Sequence, residues 1–363
     1  MTPRTLEGDG KKMFEQMVTS VGHWLKEKGP DSDIVYSSRI RLARNLNGFP
    51  FFSHCTEQQL QDIVSLARVC ASRCSRLKSA KYYSFKDMSA IDRQFLMERF
   101  LISRELAQST GEKGVIVDTT ERISIMINEE DHLRMQVLRS GLLLSAAWEE
   151  LNAIDNELDS HLDFAFEDPW GYLTACLSNA GTALRSSVMI HVPGLIMTKR
   201  IVTILQTASK MNLAIRGMHG EGSEMLGDYF QISNQATLGK PEEEIVEMTE
   251  SLARDLIGQE RRAREELMKN QKVVIEDKVG RAIGVLSGAK ILSMREAMEL
   301  LSNIRLGIYC GMVPGINPET LDALIIEMQP AHLQKRFPNH MDPLARDIER
   351  AKIIKEALKY GEG

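Results

Sequence analysis

Apolar residues recur at helical spacing over residues 12–28, where Met13, Phe14, Met17, Val18, Val21, Trp24 and Leu25 define one face before Gly29-Pro30 stops the pattern. Residues 57–78 and 88–107 carry the same period and read as helices. Short runs rich in Val and Ile then crowd together at 114–118, 123–127, 162–167, 187–191, 213–216 and 229–233, and each reads as a strand. Helices are expected between several of them, at 132–157 and 195–211. The mixture predicts one sizeable sheet packed against helices, an α+β layout, with parallel and antiparallel pairing left open by the pattern. From Pro241 the character changes. Residues 241–271 predict a long charged helix with apolar teeth at Ile245, Met248, Leu252 and Leu256, and helical patterns continue at 293–305, 317–328 and 343–360. A domain boundary is therefore expected near 265–275. It divides an N-terminal helical segment (1–32) and an α+β domain (33–265) from a helical domain (270–363).

Composition narrows the function. The 363 residues are 43% hydrophobic and 26% charged, enough apolar material for a full core. A net charge of −5 argues against a nucleic-acid footprint spread over the chain, though not against local basic pockets. The five cysteines (Cys55, Cys70, Cys74, Cys176, Cys310) are odd in number and scattered, a reduced, cytoplasmic pattern with no disulfide framework and no zinc-ligand spacing. No signal-peptide pattern and no apolar run of membrane-spanning length is expected from the sequence.

The candidate chemistry begins in the extended run Ser37-Ser38-Arg39-Ile40-Arg41. Side chains alternate across a strand, so Ser37, Arg39 and Arg41 share one face. Two guanidinium forks on one face suit phosphate oxygens, and a solvated edge strand with charged teeth is the competing reading. Asn128-Glu129-Glu130-Asp131-His132 follows a strand, with Arg134 close behind; three acids there are more often a solvated turn or the N-terminal charge of the next helix, and the alternative is an acid beside a phosphate-binding arginine. The small-residue loop from Cys176 to Arg185 lets backbone approach a ligand and adds a cation. Arg216-Gly217-Met218-His219-Gly220-Glu221 is a second glycine-rich loop after a strand. Five arginines (39, 41, 134, 185, 216), two isolated acids and one thiol suit phosphoryl transfer, where catalysis is positioning plus charge neutralisation. No Walker sequence and no protein-kinase HRD or DFG sequence is present.

Ser-Ser-Arg-Ile-Arg, Asn-Glu-Glu-Asp-His, Cys-x-x-Asn-x-Gly-Thr and Arg-Gly-x-x-Gly-Glu stand here in the order found in the ATP:guanido phosphotransferases, the family of creatine and arginine kinases. The resemblance covers about residues 33–240. Within that family the chain is similar to the bacterial protein-arginine kinases, because the first motif begins at residue 37 and a helical domain follows the catalytic one. That domain holds Arg346-Asp347-Ile348-Glu349-Arg350-Ala351, which resembles the RDxxRA motif of that branch.

The resemblance implies a large antiparallel sheet flanked by helices, followed by an all-helical domain. It implies ATP with Mg²⁺, held by Ser37, Ser38, Arg39, Ile40, Arg41, Arg134, Arg185, Arg216, His219 and Gly220. Relatives carry a histidine where Phe100 stands, so Phe100 is expected to stack on the adenine. Glu130 and Glu221 match the carboxylates that grip the acceptor guanidinium, and Cys176, followed here by Leu177 instead of proline, matches the reactive cysteine. Arg346, Asp347, Arg350 and Ala351 match an allosteric phosphoarginine site. Its helix is expected to turn Leu344, Ile348, Ala351 and Leu358 inward, with Arg346 and Arg350 on the other face. No protein-held metal is implied. The implied partners are arginine-bearing protein substrates, a zinc-binding McsA-type activator, the CtsR repressor, the ClpC–ClpP protease and a second copy of the chain. A kinase of free guanidino metabolites and a non-catalytic phosphoarginine adaptor are the rival functions.

Overall fold

The computed structural model describes residues 17–204, 213–217, 226–337 and 339–358. In chain order its strands are β1 (Val35–Arg44), β2 (Lys81–Ser84), β3 (Gly114–Val117), β4 (Ile123–Ile127), β5 (Leu133–Ser140), β6 (Phe166–Glu167), β7 (Gly171–Tyr172), β8 (Leu184–His191), β9 (Leu213–Arg216) and β10 (Tyr229–Asn234). Eight of them form one sheet in the order β2-β3-β4-β5-β1-β8-β10-β9, while β6 and β7 make a separate hairpin. Every pairing is antiparallel. The long strand β1 lies inside the sheet, hydrogen-bonded on both sides, so the edge-strand reading of its arginines fails.

The helices are α1 (His23–Lys26), α2 (Glu57–Arg73), α3 (Ala90–Glu98), α4 (Arg104–Gln108), α5 (Leu144–Leu162), α6 (Pro193–Met197), α7 (Glu242–Asn270), α8 (Lys272–Gly288), α9 (Met294–Tyr309), α10 (Pro318–Glu327), α11 (Pro330–Arg336) and α12 (Pro343–Ala357). Local chemistry sets several starts. Thr56 with Gln59, and Ser89 with Asp92, form capping boxes that satisfy orphan N–H groups at α2 and α3.

Alternation decides the layers. Ile40 and Leu42 of β1, Met135 and Val137 of β5, and Val188 of β8 point to one face and share a core with Ile63 of α2, Leu151 and Ile154 of α5, and Leu252 and Leu256 of α7. Each such fully buried side chain contributes about 1.5–3 kcal/mol. Among the described residues, the opposite face is covered at its two ends. Val115, Val117 and Met126 meet Phe95, Leu96 and Leu106 from α3 and α4. Tyr36, Leu138, Met189 and Tyr229 meet Ile275, Val279, Met298, Leu301 and Ile354 from the C-terminal helices. Those helices thus share a core with the sheet. Helix α7 ends at Asn270, inside the interval where the boundary is expected, and places Leu256 in the first core and Leu267 in the core shared with the C-terminal helices.

Several expected elements differ. The segment expected as a helix over 132–157 is β5 followed by α5, because Leu133, Met135 and Val137 alternate with Arg134 and Gln136 before the helical period takes over. The pattern at 88–107 breaks between α3 and α4, where Phe100 adopts φ +63°. The segment at 162–167 is the end of α5 and the two-residue β6. Of the helix expected over 12–28, residues 12–16 lie outside the described residues. The rest is interrupted at Gly22, where a Cβ would stand 2.8 Å from the Trp24 ring, and resumes only as α1. Of 195–211, α6 covers the first residues, and 205–211 lie outside the described ones.

Candidate active site

Between the two covered ends the sheet face is polar, and the register explains what collects there. Arg41 on β1 stands opposite Arg185 on β8 and Gln136 on β5. Ala43 pairs with Arg134, Arg39 with Ser187, and Gln231 on β10 with Arg216 on β9. Period-two alternation therefore delivers Arg134, Arg39, Arg41, Arg185 and Arg216 to one face from strands far apart in sequence. All five line a cavity of about 400 Å³.

The row is crowded and incompletely partnered. Arg39 donates to Gln231 Oε1 at 3.0 Å, and Arg185 donates to Ser233 Oγ at 3.2 Å. The Nε groups of Arg41 and Arg185 and Nε2 of Gln231 are buried with no hydrogen-bond partner. Burial, then the neighbouring Arg134, pulls the Arg39 pKa down to about 10. Burial, with Arg39 and Arg134 beside it, depresses Arg41 well below the ordinary arginine value. A buried donor left unsatisfied is worth about 1–3 kcal/mol against the fold, and an anion rich in acceptor oxygens relieves it. The donor set fits a polyphosphate.

A carboxylate that the sequence reading left without a role organises one end of the row. Glu129 is buried and accepts both Arg134 Nη1 contacts, at 2.8 and 2.7 Å, and also the Ser103 hydroxyl. Burial works against its charge, but Arg134, Ser103 and Arg41 outweigh it and hold the carboxyl below the usual range. Its neighbour Glu130 points to solvent at the cavity rim. Partial desolvation, then Asp131, raises its pKa. Asp131 and His132 serve the loop itself: Asn45 Nδ2 donates to Asp131 at 2.6 Å, and Leu46 N donates to His132 Nδ1 at 3.0 Å. Three consecutive acids thus split by alternation, one outward and two inward, which the reading as a solvated turn missed. Lys113, also unforeseen, lies over the Phe52 ring at 4.1 Å, lines the cavity, and has its pKa lowered by burial.

Cys176 stands at the cavity just before a turn of 3₁₀ helix (Leu177–Asn179), its Sγ 3.0 Å from Ser178 Oγ. Phe100 borders the cavity, but its ring is largely buried and meets Trp24 and Tyr36 edge-on, at centroid distances of 6.3 and 6.5 Å. Its position is fixed from both sides. Gln136 Nε2 donates to its carbonyl at 2.6 Å, and the preceding Arg99 forms a buried fork with Glu121 at 2.7 and 2.6 Å.

Not every expected residue arrives. The side chain of Ile40 is in the hydrophobic core on the opposite face. Ser38 also turns away, donating to Gly141 O at 2.7 Å and accepting from Leu143 N at 3.0 Å. Ser37 is buried between Ser140 and Met189. His219, Gly220 and Glu221 lie outside the described residues.

The C-terminal motif departs most from expectation. Arg350 is 2% exposed, not on an outer face. It donates to Met328 O at 3.0 Å and Leu292 O at 2.8 Å, and pairs with Asp347. Asp347 O accepts from Leu292 N at 3.1 Å, and Ala351 is packed in the helical core. Arg346 is half-buried and donates to Met341 O at 2.9 Å. Leu344, expected inward, is 54% exposed. Ala351 and Leu358 are buried as expected, and Arg350 joins them because carbonyls at the end of α10 and before α9 receive its guanidinium in the interior.

A family model described as ATP:guanido phosphotransferase, C-terminal catalytic domain, matches residues 63–263. One described as protein-arginine kinase McsB C-terminal domain matches residues 272–362. A protein-arginine kinase of Caldanaerobacter subterraneus subsp. tengcongensis is 44% identical over 334 residues, covering 92% of this chain and 99% of its own. That of Halothermothrix orenii is 43% identical, over 93% of this chain and 97% of its own. Among solved structures, the duplicated taurocyamine kinase of Schistosoma mansoni with transition-state-analogue components bound superposes with a TM-score of 0.59. It is 28% identical, over 68% of this chain and 36% of that one.

Proposed function

The chain belongs to the ATP:guanido phosphotransferase family, on its protein-arginine kinase branch, and from that premise we propose how its cavity moves the γ-phosphoryl group of ATP to an arginine side chain of a protein. Arg39, Arg41, Arg134, Arg185 and Arg216 would hold the phosphates, with the buried Nε donors of Arg41 and Arg185 finding acceptors in phosphate oxygens. Among the described residues no group of three His, Cys, Asp or Glu side chains is arranged to hold a metal. Mg²⁺ would travel with the nucleotide and offset phosphate charge. Phe100 would border the adenine with the ring edge left at the cavity.

The acceptor is a poor nucleophile, since a guanidinium has a pKa of about 12.5–13.8 and must lose a proton to attack. Glu130 would orient the guanidinium together with Glu221, and a carboxylate takes the proton as nitrogen bonds to phosphorus and the bond to the ADP oxygen breaks. The raised pKa of Glu130 favours that transfer. Cys176 would pack against the acceptor from the opposite wall. Arginines already in place neutralise charge on the transferring group, so little reorganisation is needed as the reaction proceeds.

The observation that carries this reading is the register-fixed arginine row with its unpartnered donors. Its test is a paired assay with ATP and Mg²⁺, one tube holding free arginine and the other an unstructured arginine-bearing protein. Acid-labile phosphate on protein is expected. Label on free arginine alone would move the chain to metabolite kinases, and label on neither would leave a binding protein. By family membership we extend the reading to a cytoplasmic homodimer. It would work with an McsA-type activator and act on CtsR, marking proteins for ClpC–ClpP. Arg346 would be the arm offered to phosphoarginine, with Arg350 bracing the helix behind it.

A further inference from the structure

A second depression, of about 270 Å³, lies beside the active site and has no part in the mechanism above. Its walls are apolar and open. Phe166 is 60% exposed, Trp170 59% and Leu238 52%, unusual for large apolar side chains clustered in one place. The shelf is also rigid. The Tyr172 ring meets Phe166 edge-on at 5.2 Å, and Arg44 lies 3.4 Å over the other side of Tyr172 while paired with buried Asp155 at 2.7 Å.

One short segment separates this shelf from the cavity. Cys176, Ser178 and Asn179 face the cavity, whereas Gly181 and Thr182 line the shelf. Tyr172 N donates to Gly181 O at 2.8 Å, and Thr237 Oγ1 donates to Ala180 O at 2.7 Å, which ties the aromatic hairpin and β10's exit to that loop. Cys176 and Gly181 are five residues apart, so even fully extended they span at most about 18 Å. A polypeptide with its arginine in the cavity can therefore reach the shelf within about five residues. The rim is acidic: Glu167 and Asp168 are exposed, Glu242 lines the depression, and its one lysine, Lys240, is paired with Glu244.

Resting on the protein-arginine kinase reading, we infer that this shelf docks the residues flanking the target arginine in an unfolded substrate, and that it favours apolar side chains interspersed with basic ones. Aromatic faces accept both aliphatic contact and cations, and the carboxylate rim draws basic residues. A folded substrate buries its apolar side chains and cannot offer them to the shelf. Selectivity for unfolded chains thus follows from the surface beside the site.

The test uses the full chain with ATP and two synthetic peptides, each bearing one central arginine, flanked by leucine and lysine in one and by serine and lysine in the other. The wild-type protein should show the lower KM for the leucine peptide. The double substitution Phe166→Ala, Trp170→Ala should raise that KM about tenfold, the effect of losing aromatic anchors worth about 1.4 kcal/mol together. It should leave kcat, the KM for ATP and the serine peptide unchanged. Leu238→Ser provides the same test should the double variant misfold. Equal wild-type KM values, or equal losses for both peptides, would overturn the proposal. So would a variant that changes only the sedimentation of the protein, which would make the shelf a contact between copies. Wild-type protein that phosphorylates neither peptide nor unfolded protein would sink the kinase reading itself and the shelf with it.

Discussion

Replacing Arg350 by alanine should weaken the fold far more than the same change at Arg346, although the two belong to one motif. Arg350 is 2% exposed and donates to two main-chain carbonyls, at 3.0 and 2.8 Å, while pairing with Asp347. Hydrogen bonds from a charged donor contribute roughly 1.5–3 kcal/mol each, and the carbonyls left behind would be buried without partners. Breaking a buried charged contact from one side costs about 3–5 kcal/mol in total. At roughly 2–4 °C per kcal/mol, the melting temperature should fall by about 6–20 °C. Arg346 makes one hydrogen bond, to Met341 O, from a half-buried position, so its truncation should cost about 1 kcal/mol or less. Both variants would be melted by calorimetry and followed through fluorescence of Trp24, which is packed among the C-terminal helices. If Arg350→Ala melts within two or so degrees of Arg346→Ala, a margin of about 1 kcal/mol, the bracing argument is wrong and Arg350 is a surface group in solution.

Arg41→Met should abolish phosphorylation, by at least about 10²-fold in kcat, yet leave the melting temperature equal or higher, because a buried cation crowded by Arg39 and Arg134 is removed; a clear drop in Tm would refute the crowding. His191 is buried with Nδ1 unpartnered, and burial together with Arg305 and Arg264 pushes its pKa well below 6.5. As pH falls below 6.5, unfolded chains take up a proton that the folded state refuses, so stability should decline by up to about 1.4 kcal/mol per pH unit for this group. Denaturation midpoints between pH 5 and 7.5 should show a shallower slope in His191→Gln, and an unchanged slope would acquit this residue. With iodoacetamide at pH 8, Cys176 should be alkylated before Cys70 and Cys74, which are buried with thiols raised by desolvation, Cys74 to about 11. Peptide mapping that finds Cys74 modified first would contradict the placement of these groups.

The arginine row was legible because two-residue alternation is a local property, and each arginine lies on a strand or beside one. What local pattern could not convey was which strands adjoin: Arg41 meets Arg185 only through pairing across more than a hundred residues. The reading as one helix over 132–157 failed where strand and helix patterns run together in mixed apolar sequence. Glu129 was overlooked because consecutive acids are ordinarily solvated, and only the left-handed Asn128 before it and the half-buried Arg134 behind it turn it inward. Arg350 was misassigned for the converse reason. Amphipathic counting treats arginine as polar, whereas carbonyls at the end of α10 and before α9 make an interior position suitable for it.

The composition of the row has a consequence for how the protein is made. Arg39, Arg134 and Arg185 are contributed by strands that pair across long stretches of chain. Contacts of that kind are slow to form, since loop closure precedes any gain from pairing. Bringing the cations together is also uphill on its own. The nucleotide seat therefore comes into existence only when the chain has finished folding, and a half-folded copy has none. A ligand that binds only the completed sheet shifts the folding equilibrium toward it by mass action. In a cell rich in nucleotide, such a protein would be steadied by the substrate it consumes, and would lose that support when nucleotide runs low.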